Sequence, residues 1–284
     1  MTGPSVPPKL LAVDLDGTLL DASGTPHARD LRALRSLRES GVPVSILTGR
    51  LYSGTRPTAE AIGIRGPVGC VDGSQLVDTS DHGTLVHHGI TGSEASLLRD
   101  SLAEAKAATF VFAKDAIVHD DGGTPFLEYV RLWSKDVTHE PSVYGHGAWL
   151  DPSGVTAVVA VGSFEQISLV TNFVRASLGH ALHVAMFPVR RAFTGFGLVV
   201  RAKTGTKGTA LRWLAEHHGV SMAETVVVGD WLNDVPMFEV AGRAFAMGQA
   251  PDEVKAKATH VLTETSERGG GIARVVEEHF GITF

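Results

Sequence analysis

The chain of 284 residues holds one cysteine, Cys70, so no disulfide can form within it. That fits a reducing compartment and leaves stability to packing. Cys70 sits in the apolar run Val68-Gly69-Cys70-Val71, where a small buried filler is a more natural role than a nucleophile. No basic block is present. The 25 basic and 31 acidic side chains give a formal net charge of -6, which disfavours nucleic-acid binding. An anionic ligand is not excluded, but local groups must attract it. No apolar run reaches membrane-spanning length, and there is no internal repeat or low-complexity tract. The opening Met1-Thr2-Gly3-Pro4-Ser5-Val6-Pro7-Pro8 lacks a signal-peptide pattern and reads as a short disordered leader. These absences together predict a soluble, cytoplasmic protein.

With 43% hydrophobic residues, the chain can build one large domain or two modest ones. The stretch Leu10-Leu11-Ala12-Val13-Asp14-Leu15-Asp16-Gly17-Thr18 organises the rest. It begins as a buried strand and ends in two carboxylates. Residues i and i+2 of a strand share a face, so Asp14 and Asp16 emerge together. Gly17 then permits a tight turn. Close carboxylates repel unless a cation sits between them, and Mg²⁺, a hard ion that prefers oxygen, meets that need. Taken alone, the segment is equally a strand ending in a polar turn.

Asp30–Ser40 predicts an amphipathic helix, with Leu31, Leu34 and Leu37 at helical spacing. Val44–Leu47 predicts a strand that ends in Thr48-Gly49-Arg50. Strand, helix, strand predicts a parallel, right-handed unit, and ligands gather beyond the carboxyl ends of such strands. Thr48 offers a hydroxyl there and Gly49 a backbone N–H. A short helix is expected at Thr58–Ile62 and a strand at Val68–Val71, followed by the turn pair Asp72-Gly73. The runs Gln75–Asp78 and Thr84–His87 predict a hairpin leading away from the first sheet.

From Thr84 to Lys203 the pattern changes. A helix at Ser93–Ala107 capped by Ser93 precedes strands at Thr109–Ala113 and Ala116–His119, joined at Lys114-Asp115. The stretch Asp120–Asp151 has little periodicity. A strand at Val155–Gly162, a helix at Phe164–Leu178 and strands at Ala181–Phe187 and Leu198–Val200 follow, the last after a flexible Gly195-Phe196-Gly197. Strands with helices on one side predict an inserted α+β module. Its histidines show no compact metal-ligand spacing beyond His87-His88, and adjacent strand residues face opposite sides. Arg190 and Arg191 follow Pro188 in an expected loop; an anion contact and a solvated surface role both suit them.

The first pattern then returns. Thr206–His218 predicts a helix with Lys207 in its first turn, where anions are favoured. It is not a phosphate-binding P-loop, which needs Gly before the lysine and Ser or Thr after it; here Thr206 precedes and Gly208 follows. Thr225-Val226-Val227-Val228-Gly229 is the most strand-like run, and it ends in Asp230-Trp231-Leu232-Asn233-Asp234. One sheet edge thus collects Asp14, Asp16, Thr48, Lys207, Asp230, Asn233 and Asp234. Four carboxylates call for a cation; Thr, Lys, Asn and backbone N–H groups suit a tetrahedral oxyanion. The combination predicts Mg²⁺-assisted phosphoryl transfer.

Asp14-Leu15-Asp16-Gly17-Thr18, Thr48, Lys207 and Gly229-Asp230-x-x-Asn233-Asp234 resemble the four motifs of the haloacid dehalogenase superfamily. Their order, with a large insert between Thr48 and Lys207, is similar to the Cof-type phosphatases with a C2B cap. The resemblance implies an α/β fold: a Rossmann-like parallel-sheet core from residues 1–83 and 204–284, and an inserted α+β cap at 84–203 that closes over the site and selects the substrate. It implies Asp14 as nucleophile and Asp16 as acid and base. It implies Mg²⁺ held by Asp14, the Asp16 backbone carbonyl and Asp230, with Asp234 in support. Thr48, Gly49, Lys207 and Asn233 would hold the phosphoryl group. The implied activity is hydrolysis of a small phosphorylated metabolite, a sugar phosphate first, through an aspartyl-phosphate. A phosphomannomutase-like transfer and a non-catalytic metabolite sensor are the alternatives. The oligomeric state stays open. Two positions depart from the family pattern. Trp231 stands where a Gly or other small residue is common, and Asp72-Gly73 where Asn-Gly is common. Trp231 could wall the site, stack on a sugar or pack under the cap. Asp72 is expected to matter to the core-to-cap connection more than to chemistry.

Overall fold

The computed structural model describes residues 6–189 and 194–284; Arg190 and Arg191 lie outside the described residues. In chain order the strands are β1 (Leu10–Val13), β2 (Val44–Ile46), β3 (Pro67–Cys70), β4 (Gln75–Asp78), β5 (Thr84–His87), β6 (Ala108–Ala113), β7 (Ala116–His119), β8 (Val137–His139), β9 (Ala157–Gly162), β10 (Leu182–Val189), β11 (Gly195–Ala202), β12 (Thr225–Gly229), β13 (Arg243–Ala246) and β14 (His260–Val261). The chain forms two compact units. One comprises residues up to 49, 55–85 and 206–284; the other comprises 50–54 and 86–205.

The first unit is built on a parallel sheet in the order β14-β13-β12-β1-β2. β1 lies between β12 and β2, and Leu10, Leu11, Ala12 and Val13 are all fully buried. Such a strand is covered on both faces, which is why its sequence is continuously apolar rather than alternating. The chain leaves β1 to one side for β2 and later fills the other side with β12, β13 and β14. The order therefore reverses between β1 and β12, the place where open α/β sheets form a crevice beyond their carboxyl ends. Register sets the geometry there. Leu10 pairs with Thr225 and Val13 with Val228, and the Asp14 N–H donates to the Val228 carbonyl at 3.0 Å. The polar residues after both strands consequently emerge level with one another.

Helices flank this sheet. Ala28–Glu39 buries Ala33, Leu34 and Leu37, each such leucine stabilising the fold by roughly 1.5–3 kcal/mol. Its Asp30, also buried, accepts the N–H groups of Gly270 and Ala273 at 2.8 Å and so caps the helix Gly271–Val275. The helix expected at Thr58–Ile62 spans Tyr52–Ile62 with Pro57 inside it. Proline removes one backbone donor and hides a helix from sequence reading without abolishing it. β3 and β4 pair antiparallel, and β5 follows as the expected hairpin.

The second unit is a sheet ordered β10-β11-β9-β6-β7-β8, antiparallel except for the pair β7 and β8. The helices Gly92–Ala105 and Phe164–Phe173 contribute Leu98, Leu102, Ile167 and Val170 to one apolar cluster with Val111, Val158, Leu198 and Val200 of the sheet. Two expectations are corrected. Thr91, not Ser93, is the residue before the first helix; the Ser93 hydroxyl turns instead to Glu94, 3.0 Å away. Gly195-Phe196-Gly197 is not a flexible lead-in but the start of β11, because β10 pairs with it on one side and β9 with Phe196 and Gly197 on the other. Asp120–Asp151 contains β8, three short 3-10 turns and the helix Leu127–Val130, elements too short to produce a period. Lys114 and Asp115 form the expected turn, both in the left-handed region (φ 46° and 62°).

Candidate active site

Asp14 and Asp16 follow β1. Asp14 is 5% exposed, whereas Asp16 faces solvent. Gly17 turns the chain with φ +80°, and a Cβ added there would collide with the Asp230 carboxylate. Both conditions require glycine. The turn presents the Thr18 hydroxyl, which donates to Asp230 Oδ1 at 3.0 Å.

Asp230 follows β12, and Asp234 lies four residues on in a tight turn. Asp234 Oδ2 accepts the N–H of Asp230 at 2.8 Å and of Trp231 at 2.9 Å. Trp231 has φ −129° and ψ 173°, ordinary extended backbone, so this loop needs no glycine at that position. Trp231 is 55% exposed and so is not part of a core.

Lys207 opens the helix Lys207–His217, whose N-cap is Thr206 in a reciprocal capping pair with Thr209. Although fully buried, its Nζ lies 2.6 Å from Asp14 Oδ1 and 2.6 Å from Asp234 Oδ1. Burial works to neutralise this ammonium, but Asp14, Asp234 and Asp72 outweigh it and hold its pKa above that of an ordinary lysine.

Asp14 and Asp230 are pushed toward their neutral forms. Burial, with repulsion from Asp234 and Asp230, raises Asp14 well above the usual range despite the attraction of Lys207. Burial and the Asp234 charge push Asp230 up to about 7, against the hydrogen bond from Thr18. One oxygen from each of Asp14, Asp230 and Asp234 lies within 4.8 Å of the others. When all are ionised, three carboxylates around one ammonium leave two negative charges uncompensated. A divalent ion that prefers oxygen ligands fits both the charge and the donor set.

A second set of polar contacts links the segment after β2 to Asp72 and Asn233. Thr48 is fully buried; its N–H donates to Gly69 at 2.9 Å and its carbonyl accepts the Asp72 N–H at 2.8 Å. A Cβ on Gly49 would meet Asp72 Oδ1 at 3.4 Å and Asn233 Nδ2 at 3.9 Å. Asn233 donates to Asp72 Oδ1 at 2.7 Å. The structure thus brings Asp14, Lys207, Asp230 and Asp234 together, with Gly49 and Asn233 side by side. Asp16 stands outside the buried carboxylate cluster, and Arg190 lies outside the described residues. Sequence reading gave no role to Thr18 and Gln249. It also assigned Asp72 to a connection, although its carboxylate is hydrogen-bonded to Asn233. Their signal was position alone: each follows a strand of this unit.

A family model described as haloacid dehalogenase-like hydrolase matches residues 11–276. Among individual proteins, the chain is 29% identical to phosphatase YwpJ of Bacillus subtilis over 282 residues, covering 92% of this chain and 96% of that protein. It is 27% identical to pyridoxal phosphate phosphatase YbhA of Escherichia coli over 281 residues, covering 95% and 98%. Among solved structures, a haloacid dehalogenase-like hydrolase from Bacteroides thetaiotaomicron superimposes with a TM-score of 0.81 at 21% identity, over 95% of this chain and 98% of that one. That likeness concerns the fold.

Proposed function

The chain belongs to the haloacid dehalogenase-like hydrolases, and from that premise we propose that it is a Mg²⁺-dependent phosphatase of a small phosphorylated metabolite, acting through an aspartyl-phosphate on Asp14. The observation that carries this reading is the buried ammonium of Lys207 spanning Asp14 and Asp234 at 2.6 Å each. It ties the end of β1 to the loop after β12 and leaves charge for a divalent ion.

Each residue then has a task. Lys207 holds the Asp14 carboxylate in place and offsets its repulsion from phosphate. Thr48, Gly49 and Asn233 bind the phosphoryl oxygens. An oxygen of Asp14 attacks phosphorus, the bond from phosphorus to the leaving oxygen breaks, and Asp16 gives that oxygen its proton. Asp16, now a carboxylate, takes a proton from water as the water oxygen attacks phosphorus. The bond to Asp14 breaks and inorganic phosphate leaves. The exposure of Asp16 suits this exchange of protons with substrate and water. Mg²⁺, held by Asp14, Asp230 and the Asp16 backbone carbonyl with Asp234 in support, would supply charge neutralisation and Lewis acidity at the phosphoryl oxygens.

Substrate choice we assign to residues 84–203. The Escherichia coli relative is named for pyridoxal phosphate, a small phosphate monoester, which supports that class here; a sugar phosphate is the first candidate on family resemblance. No helix among the described residues is long and apolar enough to cross a membrane, and a lone buried cysteine suits the cytoplasm, where we place the enzyme. Hydrolysis of p-nitrophenyl phosphate with Mg²⁺, abolished by chelation and by Asp14→Asn, is the expected result. An Asp14→Asn protein as active as wild type would refute the assignment.

A further inference from the structure

The loop after β13 runs Met247-Gly248-Gln249-Ala250, and its backbone is held from two sides. The Met247 N–H donates to Gly229 at the end of β12 (3.0 Å), the Gly248 N–H donates to Glu264 (2.8 Å), and the Ala250 N–H closes the turn on Met247 (3.0 Å). Gln249 is thereby fixed at the carboxyl end of the sheet, on the strand beyond β12 as seen from β1. Its side chain reaches back across that strand. Nε2 donates to the Gly17 carbonyl and, at 3.5 Å, to Asp230 Oδ2. Oε1 accepts the Ser266 N–H at 3.3 Å. Three loops, from three parts of the sequence, meet on one amide.

The amide has one sensible orientation. Both acceptors lie on its Nε2 side and the backbone donor on its Oε1 side. Turned over, the amide would set its oxygen against a carbonyl and a carboxylate and its NH₂ against an N–H. The consequences reach the site. Asp230 is held at both oxygens, Oδ1 by Thr18 and Oδ2 by Gln249. The Gly17 carbonyl belongs to the peptide next to the one that carries the Asp16 carbonyl, so a hydrogen bond on it bears directly on that peptide.

We propose that Gln249 is a positioning residue for the metal site: its amide fixes the Gly17 turn, and with it the Asp16 peptide, against the Asp230 carboxylate. This rests on the reading of Asp14, Asp16 and Asp230 as the metal-holding set. Groups that orient ligands in this way commonly change metal affinity by 10–100-fold.

The test uses full-length Gln249→Ala and Gln249→Met proteins, with Mg²⁺ binding measured by calorimetry without substrate and kinetics measured at saturating Mg²⁺. Methionine keeps the bulk and loses the amide. Wild type binds Mg²⁺; both variants bind it about tenfold or more weakly, with kcat reduced, KM for p-nitrophenyl phosphate little moved, and melting temperatures near wild type because Gln249 is exposed. Gln249→Met equal to wild type in Mg²⁺ affinity and kcat overturns the proposal while leaving the phosphatase reading intact. Wild type with no Mg²⁺ affinity overturns both.

Discussion

Lys207 and Asp234 form a fully buried ion pair, 2.6 Å between Nζ and Oδ1, and the second oxygen of the same carboxylate gathers the N–H groups of Asp230 and Trp231. Asp234 therefore fixes the loop that carries Asp230 at the same time as it fixes the lysine. The lysine in turn reaches Asp14. One side chain sets the relative position of the groups on two neighbouring strands.

Lys207→Met removes the only cation among the described residues that is ion-paired with Asp14 and Asp234. Stranding buried charges in this way costs about 3–5 kcal/mol, so the metal-free variant should melt well below wild type at pH 8. Asp14 and Asp230, already raised by burial in the wild type, would rise further. A raised carboxylate pKa favours the protonated folded state, so stability is retained at low pH and lost as pH rises through the folded-state value. The gap between variant and wild type should therefore narrow at pH 5. A gap that is equal at both pH values would contradict the charge argument.

Metal binding should release protons near neutrality. Asp230 is pushed up to about 7 in the metal-free protein, so near pH 7 it is partly protonated, and a cation must displace that proton. Apparent Mg²⁺ affinity should rise with pH through this range and then level off. Calorimetry in two buffers of different ionisation enthalpy should give different heats at pH 7, with the difference shrinking by pH 9. Equal heats in both buffers at pH 7 would show that Asp230 is already ionised.

Gly17→Ala meets two obstacles at once. The left-handed backbone costs a residue with a Cβ about 1–2 kcal/mol, and the new methyl must displace the Asp230 carboxylate. A melting temperature lowered by a few degrees and Mg²⁺ affinity lowered about tenfold or more are expected. Unchanged affinity would mean that the turn tolerates a shift without moving Asp230.

Much of this arrangement was legible in the sequence because it is written in strand ends. Apolar runs that stop in Asp14, Thr48 and Asp230 declare parallel strands whose carboxyl ends carry chemistry, and Lys207 declares itself by opening a helix. The register of β1 against β12, which makes those ends level, is a tertiary fact that no local pattern contains. Gln249 and Asp72 escaped for a related reason: a single polar residue in a turn is indistinguishable from a solvated one until its partners, Gly17 or Asn233, are seen. Trp231 shows the converse. Sequence comparison made it suspect as a replacement for a small residue, yet its extended backbone, φ −129°, removes the conflict. In the second unit, β8 and the short turns of 120–151 were hidden because three or four residues cannot show a period.

The account stands most directly on covalent capture at Asp14. The enzyme is mixed with p-nitrophenyl phosphate and Mg²⁺, quenched in acid within the first turnover, treated with borohydride and digested. An acyl phosphate is reduced under these conditions, so the peptide containing Asp14 should carry homoserine at that position, in a substrate-dependent yield that vanishes in Asp14→Asn. Burst release of p-nitrophenol with Asp14 left unmodified, or modification at any other carboxylate, would contradict the mechanism.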